Sequence, residues 1–256
     1  MQPPQKIGII AGSGKLPAIA ERELTAMGMS VVTCHLNQDF SIGEAGRIMQ
    51  YFKTRHIKTL ILIGGVARPN WLRVKTDGRG FGIMWRILFR RYGDNRLLSV
   101  IRQELEKEGF QVKAIQEFLP ALLCPAGVLT NLQPSPADQT AIDKGVREAR
   151  AHGLADQGQS IVMAANFVVG REDRSGTAAL IERMAKLKGD KILVKMVKPQ
   201  QDRALDLPAI GPDTVDQAHR SGFKGIAVNA GACLLIDRDE LVARANKCGL
   251  FVVGVT

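Results

Sequence analysis

The sequence lacks the features that mark several common classes of protein. Its four cysteines, Cys34, Cys124, Cys233 and Cys248, form no CxxC pair and have no histidine at metal-ligand spacing, so a zinc site is not expected. No apolar run approaches the roughly 18 residues of a membrane-spanning helix. The first residues, MQPPQKIGII, lack the apolar segment of a secretion signal. We expect a soluble protein whose thiols are buried and reduced.

Acidic residues are fewer than basic residues. The 256 residues include 35 Lys and Arg against 25 Asp and Glu, a formal net charge of +10. Such an excess favours an anionic partner, which could be a nucleic acid, an anionic membrane surface or a phosphorylated small molecule. The four histidines share no common spacing, so nothing in the sequence indicates a hydrolytic triad.

Short apolar runs alternate with helical patterns along the whole chain. KIGII, SVVTCHL and TLILIGGV are predicted strands separated by amphipathic helices, which indicates a parallel sheet covered by helices on both faces. Four prolines within residues 120–136 mark a domain boundary. The predicted fold class is α/β with two domains. These are a Rossmann-like N-terminal domain, residues 1–130, and a C-terminal α/β domain, residues 131–256.

The stretch GIIAGSGKLP matches neither of the two familiar phosphate-binding motifs. Leu16 follows Lys15 where a P-loop needs Ser or Thr, and Pro17 stands where the dinucleotide fingerprint needs glycine or alanine. Two interpretations remain: a strand-to-helix turn whose backbone N–H groups bind a phosphate, or a tight turn that needs positive φ. The residues concerned are Gly12, Ser13 and Gly14.

A basic and aromatic segment follows the third predicted strand. Arg68, in GGVARP, stands at the carboxyl end of that strand, where parallel sheets bind ligands, and its guanidinium suits a phosphate. Residues 68–91 hold seven Arg or Lys against one Asp, and both tryptophans. The pattern fits a helix lying on an anionic, acylated surface, or a core-facing helix edged with arginines. The apolar stripe consists of Phe81, Trp85, Leu88, Phe89 and Tyr92, with Arg86, Arg90 and Arg91 beside it.

The most informative stretch is VKMVKPQQDRALDLPAIGPDT. The run KILVKMV is predicted as a strand that ends at Lys198, because Pro199 cannot continue the hydrogen-bonded ladder. Asp202 and Asp206 follow, four residues apart. Mg²⁺ prefers carboxylate and phosphate oxygens, and a lysine neutralises phosphate. The stretch therefore indicates a phosphate and metal site, with an ordinary polar loop as the alternative.

A second group of candidate residues lies in GREDRSGTAAL. Glu172 and Asp173 close the strand-like run QSIVMAANFVVG, and Gly176 and Thr177 open a helix. The N-terminus of a helix attracts anions because its N–H groups and its dipole point outwards. This stretch is a further candidate for binding phosphate or a cation.

The order and spacing of several motifs resemble one family. They are IIAGSGKLP, GGVARP, YGDNRLL, EKEGF, LTNLQPSPAD, DQGQSIV and VKPQQDRALDLPAIGPDT, and they cover nearly the whole chain. The chain resembles the metal-dependent UDP-2,3-diacylglucosamine pyrophosphatases of lipid A biosynthesis that are unrelated to the calcineurin-like phosphoesterases. This resemblance implies a cytoplasmic enzyme that uses Mg²⁺ and produces UMP and 2,3-diacylglucosamine 1-phosphate. It also implies two domains with the lipid-bearing ligand between them, a homodimer, and peripheral contact with the inner membrane.

The resemblance, added to the motifs above, assigns roles to individual residues. The catalytic residues are Asp206, Asp202 and Lys198. The metal ligands are Asp206, Asp202 and Glu172. The substrate-binding residues are Gly12, Ser13, Gly14, Arg68, Gln159, Gly176, Thr177, Gln201 and Arg203.

Departures from the family pattern leave other functions open. Ser175 and Ala178 stand where the family carries acidic residues, Ala204 where an arginine is expected, and Ala209 where a threonine is expected. A catalytically impaired relative that binds a lipid or a nucleotide-sugar is one alternative. A hydrolase of another nucleotide-sugar diphosphate is a second, and RNA binding is a third.

Overall fold

A computed structural model of the chain describes residues 4–65, 75–80, 82 and 94–256. They divide into two compact units. The first comprises Met1–Pro120 and Asp202–Asp206, and the second comprises Ala121–Gln201 and Leu207–Thr256. The chain thus leaves the first unit before the predicted boundary at residue 130, and a short segment from the predicted second domain belongs to the first unit.

The first unit is built on a parallel sheet, as predicted. Its strands lie in the order β2-β1-β3-β4, and every described pairing between them is parallel. The elements are β1 Lys6–Ala11, α1 Leu16–Ala26, β2 Ser30–His35, α2 Ala45–Lys53, β3 Thr59–Ile63, α3 Asp94–Lys107, β4 Gln111–Val112 and α4 Ile115–Phe118.

Packing in this unit follows from the apolar side chains of β1 and α2. Phe52 of α2 is fully buried, and its ring lies where a Cβ on Gly8 would have to be, so the glycine in KIGII lets the helix approach the sheet. Helix α1 begins with a proline in its first turn, where no intrahelical N–H is lost. It is followed by Gly28 at φ 80°, in the left-handed region that ends many helices.

The second unit is built on a mixed sheet. Its strand order is β5-β12-β10-β8-β6-β7, in which β8, β10 and β12 are parallel and the remaining pairings are antiparallel. A 3-10 turn at Pro120–Leu122 leads into it. The elements are β5 Gly127–Val128, α5 Pro136–Leu154, β6 Ser160–Ala164, β7 Phe167–Arg171, α6 Gly176–Met184, β8 Lys191–Lys195, β9 Ala209–Ile210, α7 Pro212–Arg220, β10 Phe223–Asn229, β11 Leu234–Leu235, α8 Arg238–Cys248 and β12 Phe251–Val255.

Two sequence predictions need correction in this unit. The run QSIVMAANFVVG is not one strand but an antiparallel hairpin, β6 and β7, that reverses at Ala165 with φ 47°. Alanine rarely adopts this conformation, so the only sign of the turn in the sequence is the neighbouring Asn166. Strand β8 ends at Lys195 and not at Lys198, because the backbone turns at Lys198, whose carbonyl accepts a hydrogen bond from the N–H of Gln201.

Apolar side chains fill both faces of the mixed sheet. Alternate residues of the central strands belong to two separate clusters: Val162, Leu193, Ile226 and Val252 pack with α6, α7 and α8, while Ile161, Val194, Ala227 and Val253 pack with α5. A sheet covered on both faces requires continuous apolar strands, which explains runs such as KILV and FVVG.

The thiol prediction holds for three of the four cysteines. Cys34, Cys124 and Cys233 are buried and free, and Cys248 is half-buried. Burial raises the pKa of Cys34 and of Cys124 to about 11, and that of Cys233 to about 12. These thiols therefore act as core residues at neutral pH. No helix within the described ranges has both the length and the apolar character needed to span a bilayer.

Candidate active site

The glycine turn of the first unit is held by backbone hydrogen bonds. The N–H of Gly12 donates to the carbonyl of Ile63 over 2.8 Å, and the N–H of Ser13 donates to that of Gly65 over 2.7 Å. The hydroxyl of Ser13 also donates to the Gly65 carbonyl. Gly14 has φ 98°, as the tight-turn interpretation requires. Two of the N–H groups predicted to bind phosphate are thus already used within the fold.

The predicted phosphate ligand Arg68 lies outside the described residues, and so does most of the basic and aromatic segment. The stripe of Phe81, Trp85, Leu88, Phe89 and Tyr92, with Arg86, Arg90 and Arg91 beside it, has no described member. Its membrane-facing and core-facing interpretations both remain predictions from sequence.

Lys198 occupies a turn at the end of the buried strand region in the second unit. Its Nζ donates to Asp156 Oδ1 over 2.9 Å, and its side chain is 14% exposed. Its N–H donates to Gln201 Oε1 over 3.1 Å, while the N–H of Gln201 donates to the Lys198 carbonyl over 3.0 Å. Gln201 is buried, and its side chain therefore closes this turn. A catalytic Lys198 has to exchange Asp156 for the substrate.

Asp202 and Asp206 lie on one turn that belongs to the first unit. The carbonyl of Asp202 accepts hydrogen bonds from the N–H groups of Leu205 and Asp206 over 3.0 and 2.9 Å. The carboxylate of Asp202 accepts the N–H of Ala204 over 2.9 Å and contacts Arg102 Nη1 at 3.0 Å. We call residues Asp202–Asp206 the aspartate turn. Both carboxylates predicted to be catalytic are thus carried by a single, internally bonded piece of backbone.

Arg203 is the exposed residue of the aspartate turn. Its backbone carbonyl accepts a hydrogen bond from Gln116 Nε2 over 2.6 Å. Its side chain is exposed to solvent. The predicted substrate-binding role of Arg203 stays a prediction.

A buried polar cluster in the second unit contains two of the predicted residues. Thr177 Oγ1 donates to Glu172 Oε2 over 3.0 Å and lies 3.0 Å from Ser160 Oγ. His152 Nε2 lies 2.6 Å from the Glu172 carbonyl. Glu172 is 9% exposed. The cluster joins β6, α5, α6 and the residue that follows β7. Glu172 and Thr177 therefore stabilise the fold, independently of any role in binding substrate.

Two more predicted residues border this cluster. Gly176 opens α6 with φ 86°, and its N–H donates to the carbonyl of Asp173 over 3.0 Å. Gln159 precedes β6, and its carbonyl accepts the N–H of Met196 over 2.9 Å. The Oε1 atom of Gln159 is buried and finds no hydrogen-bond partner among the residues that the structure describes. Neither position shows a feature that by itself selects a substrate.

The carboxylates do not form a preformed metal cage. Across residues 4–65, 75–80, 82 and 94–256, no group of three or more His, Cys, Asp and Glu side chains is arranged to hold a metal ion. Mg²⁺ often binds through one or two carboxylates and completes its shell with water and phosphate oxygens. Asp202 and Asp206 lie on one turn, but the Asp202 carboxylate already accepts hydrogen bonds from Arg102 Nη1 and the N–H of Ala204, so the predicted role of the two residues as Mg²⁺ ligands stays a prediction.

Several residues of these sites were not found from the sequence. Arg102 contacts Asp202 across 100 positions, and Asp156 and His152 contact their partners across 42 and 20 positions. No periodicity or motif links residues at such separations. The run DQGQSIV led to the prediction of Gln159 as a site residue, and Asp156 and Ser160 belong to the same run.

Comparison with known proteins adds evidence of a different kind. The model for the LpxI N-terminal domain matches residues 6–122, and the model for the LpxI C-terminal domain matches residues 125–253. A protein of Caulobacter vibrioides named UDP-2,3-diacylglucosamine pyrophosphatase LpxI is 32% identical to this chain. The alignment, which is 273 positions long with its gaps, covers 98% of this chain and 98% of that protein. The chain therefore belongs to the LpxI family.

Proposed function

We propose that this protein hydrolyses the pyrophosphate bond of UDP-2,3-diacylglucosamine in lipid A biosynthesis, yielding UMP and 2,3-diacylglucosamine 1-phosphate. The observation that carries the proposal is the similarity to the Caulobacter vibrioides protein of that name, which covers 98% of each chain. Both units of the fold lie within this similarity.

The aspartate turn supplies the carboxylates for the reaction. Water adds to one phosphorus of the diphosphate, and the bond from that phosphorus to the bridging oxygen breaks. Water must be oriented and its proton removed, which is work for a carboxylate on a fixed backbone. We assign this work first to Asp206 and second to Asp202. The hydrogen bond from the Asp206 N–H to the Asp202 carbonyl fixes the spacing of the two residues.

Positive side chains offset the charge of the diphosphate. The side chain of Lys198 is 14% exposed, and its ammonium group already contacts a carboxylate oxygen of Asp156. A phosphate oxygen is a comparable acceptor, so the lysine can exchange one oxygen for the other. Arg203 is exposed and can add a second cation. Charge neutralisation at the phosphoryl oxygens lowers the barrier to hydrolysis.

Mg²⁺ is the cofactor that we assign to the reaction. When bound, the ion withdraws electron density from the diphosphate. Asp206 and Asp202 would hold it, and Glu172 is the third predicted ligand, as a partial substitute for the acidic residues that the family carries where this chain has Ser175 and Ala178. Because the described residues offer no group of three ligands, we expect the free protein to bind Mg²⁺ weakly and the substrate phosphates to complete the site. Calorimetry with Mg²⁺ alone and with Mg²⁺ plus UDP measures this difference.

The substrate determines where the protein works. A diacylated sugar nucleotide partitions into a membrane, so a cytoplasmic protein must meet it at the surface of the inner membrane. We therefore propose peripheral contact with that surface, and a homodimer as the active form. Flotation with anionic and with neutral vesicles tests the first proposal, and light scattering tests the second.

The central experiment measures release of UMP from UDP-2,3-diacylglucosamine by the purified protein, with Mg²⁺ and with a chelator. The variants are Asp206→Ala and Asp202→Ala, and Asp213→Asn is the matched control, because Asp213 is an exposed aspartate in the first turn of α7. We expect chelator-sensitive turnover that falls at least about 100-fold in Asp206→Ala and stays unchanged in the control.

Other outcomes identify the alternatives. Saturable binding of the substrate without turnover would mean a catalytically impaired family member, in line with Ser175 and Ala178 at positions where the family carries acidic residues. Equal turnover of an unacylated UDP-sugar would mean a hydrolase of another nucleotide-sugar diphosphate.

A further inference from the structure

Arg102 joins helix α3 to the aspartate turn. Its Nη1 lies 3.0 Å from Asp202 Oδ2 and 3.3 Å from Oδ1, so one nitrogen contacts both carboxylate oxygens. Its Nε donates to Glu106 Oε1 over 2.8 Å, which holds the guanidinium from the other side. Arg102, Glu106 and the aspartate turn all belong to the first unit. Hydrogen bonds to Glu106 and Asp202 raise the pKa of Arg102, so the side chain stays charged.

Fixing Asp202 also fixes the backbone of Asp206. The carbonyl of Asp202 accepts the N–H groups of Leu205 and Asp206, and its carboxylate accepts that of Ala204. A side chain that accepts the N–H two residues further on stabilises a turn in the same way as a helix cap. The orientation of Asp206 therefore depends on how the residue at the start of the turn is held.

Two other contacts attach the turn to the same unit. Gln116 Nε2 donates to the Arg203 carbonyl over 2.6 Å, and Leu205 packs against the buried cluster around Phe52 and Leu60. These contacts keep the segment attached to its unit. Arg102 differs from these two contacts because it binds the side-chain carboxylate of Asp202, a group that is assigned to the reaction.

We propose that Arg102 is a positioning residue, which holds the Asp202 carboxylate and, through the aspartate turn, sets the orientation of Asp206 towards the diphosphate. This inference rests on the proposed function, since it assumes that the turn carries the chemistry. It adds a residue on α3 to the aspartate turn of the same unit.

The ion pair contributes little to folding, which makes the inference testable. The side chains of Arg102 and Asp202 are 33% and 23% exposed, and ion pairs that solvent reaches in this way contribute little to stability. A variant at Arg102 therefore still folds. Its effect on the reaction is expected to be larger, because a displacement of about 1 Å in a catalytic group can cost about 100-fold in rate.

The activity measurement compares three variants, Arg102→Ala, Arg102→Lys and Glu106→Gln, with the control Arg22→Ala. Arg22 is an exposed arginine of the same unit, and it forms an ion pair with its neighbour Glu23. We expect kcat to fall about 10- to 100-fold in Arg102→Ala with KM within about twofold of the parent. Lysine should restore part of kcat, since it keeps the charge but not the fork of donors. Guanidinium ions added to Arg102→Ala should raise kcat several-fold, whereas Glu106→Gln should cost less than Arg102→Ala.

A second measurement does not depend on activity. Amide hydrogen exchange of residues 202–206 reports whether the turn is held, because the N–H groups of Leu205 and Asp206 are bonded inside it. We expect exchange to accelerate about two- to fivefold in Arg102→Ala and to be unchanged in Arg22→Ala. Faster exchange in a protein that never hydrolyses the substrate would contradict the proposed function and would show that Arg102 holds the turn without any role in the reaction.

The inference is overturned by either of two results. One is a parent enzyme that hydrolyses the substrate while Arg102→Ala keeps kcat within twofold. The other is unchanged amide exchange at residues 202–206 in Arg102→Ala, whether or not the protein is active.

Discussion

Ser13 and Gly65 exchange both of their backbone hydrogen bonds, over 2.7 Å from the Ser13 N–H and 2.8 Å from the Gly65 N–H. This bridge ties the turn after β1 to the turn after β3. It places the two glycine-rich segments, GSG and GG, backbone against backbone. The close approach explains why glycines stand there, independently of any phosphate.

A methyl group at position 12 should destabilise the protein. A Cβ on Gly12 would collide with the carbonyl oxygen of Gly65 and would lie 2.9 Å from the carbonyl carbon of Gly64, and backbone atoms cannot rotate away. We expect Gly12→Ala to lower the free energy of unfolding by about 1–3 kcal/mol. Gly78→Ala is the control, because a Cβ there meets nothing within 4 Å. Equal melting temperatures for both variants would disprove this packing role.

Thr177 offers a test between a structural and a substrate-binding role. Thr177→Val removes the hydroxyl that donates to the buried Glu172 carboxylate, so we expect a loss of about 1–3 kcal/mol of stability. Thr177→Ser keeps the hydroxyl and should retain most of it. Thr140→Val, on the exposed side of α5, is the control. An increase in KM at an unchanged melting temperature would instead support the predicted contact with substrate.

The start of helix α5 should account for part of the stability of the second unit. Ser135 and Asp138 form a capping box, in which each side chain accepts the backbone N–H of the other residue. We expect Ser135→Ala to cost about 1 kcal/mol, measured by urea unfolding. A cost below about 0.3 kcal/mol would mean that Pro136 and helix packing suffice without the cap.

Asp138 should also make stability depend on pH. Burial alone raises the pKa of Asp138, but hydrogen bonds from Lys224 and Ser135 outweigh it and hold the pKa below its ordinary value of 3.8. A carboxyl group with a lowered folded-state pKa stabilises the fold above its unfolded-state pKa, and this contribution is lost as the pH falls through the folded-state pKa. Asp138→Asn should therefore be less stable than the parent at pH 6, and the difference should vanish below about pH 3. A difference that stays constant down to pH 2.5 would contradict this assignment.

The buried thiols should be unreactive in the native protein. Burial raises the pKa values of Cys34, Cys124 and Cys233 to about 11 or 12, so hardly any thiolate exists at pH 7.5. We expect a maleimide to label these three only after denaturation, with peptide mass spectrometry as the measurement. Native labelling of Cys233, which is fully buried, at the rate of a free thiol would refute the prediction.

The sequence predicted the elements of the first unit well because each carries a local pattern. The alternation of KIGII, SVVTCHL and TLILI with amphipathic helices left one reasonable arrangement, a parallel sheet. The hairpin of β6 and β7 escaped prediction because the left-handed position of its turn is Ala165, although Asn166, a common turn residue, follows it. A single asparagine inside a long apolar run is a weak signal for a chain reversal.

The candidate site could be predicted only as far as its residues are close in sequence. Lys198, Asp202 and Asp206 were predicted as candidates because they lie within one short stretch, and their roles stay predictions. Arg102 was not found, because its contact with Asp202 spans 100 positions and comes from the tertiary fold. One arginine among many on a basic chain carries no mark of such a role.

The assignment of Asp202–Asp206 to the first unit also constrains how members of this family can change over evolutionary time. The chain enters the second unit after Pro120, returns for these residues, and leaves again at Leu207. Recombination at a single breakpoint between the two halves would separate Arg102 and Gln116 from the partners with which they form hydrogen bonds. The two halves of the gene are therefore bound to be inherited together, although each encodes a recognisable domain.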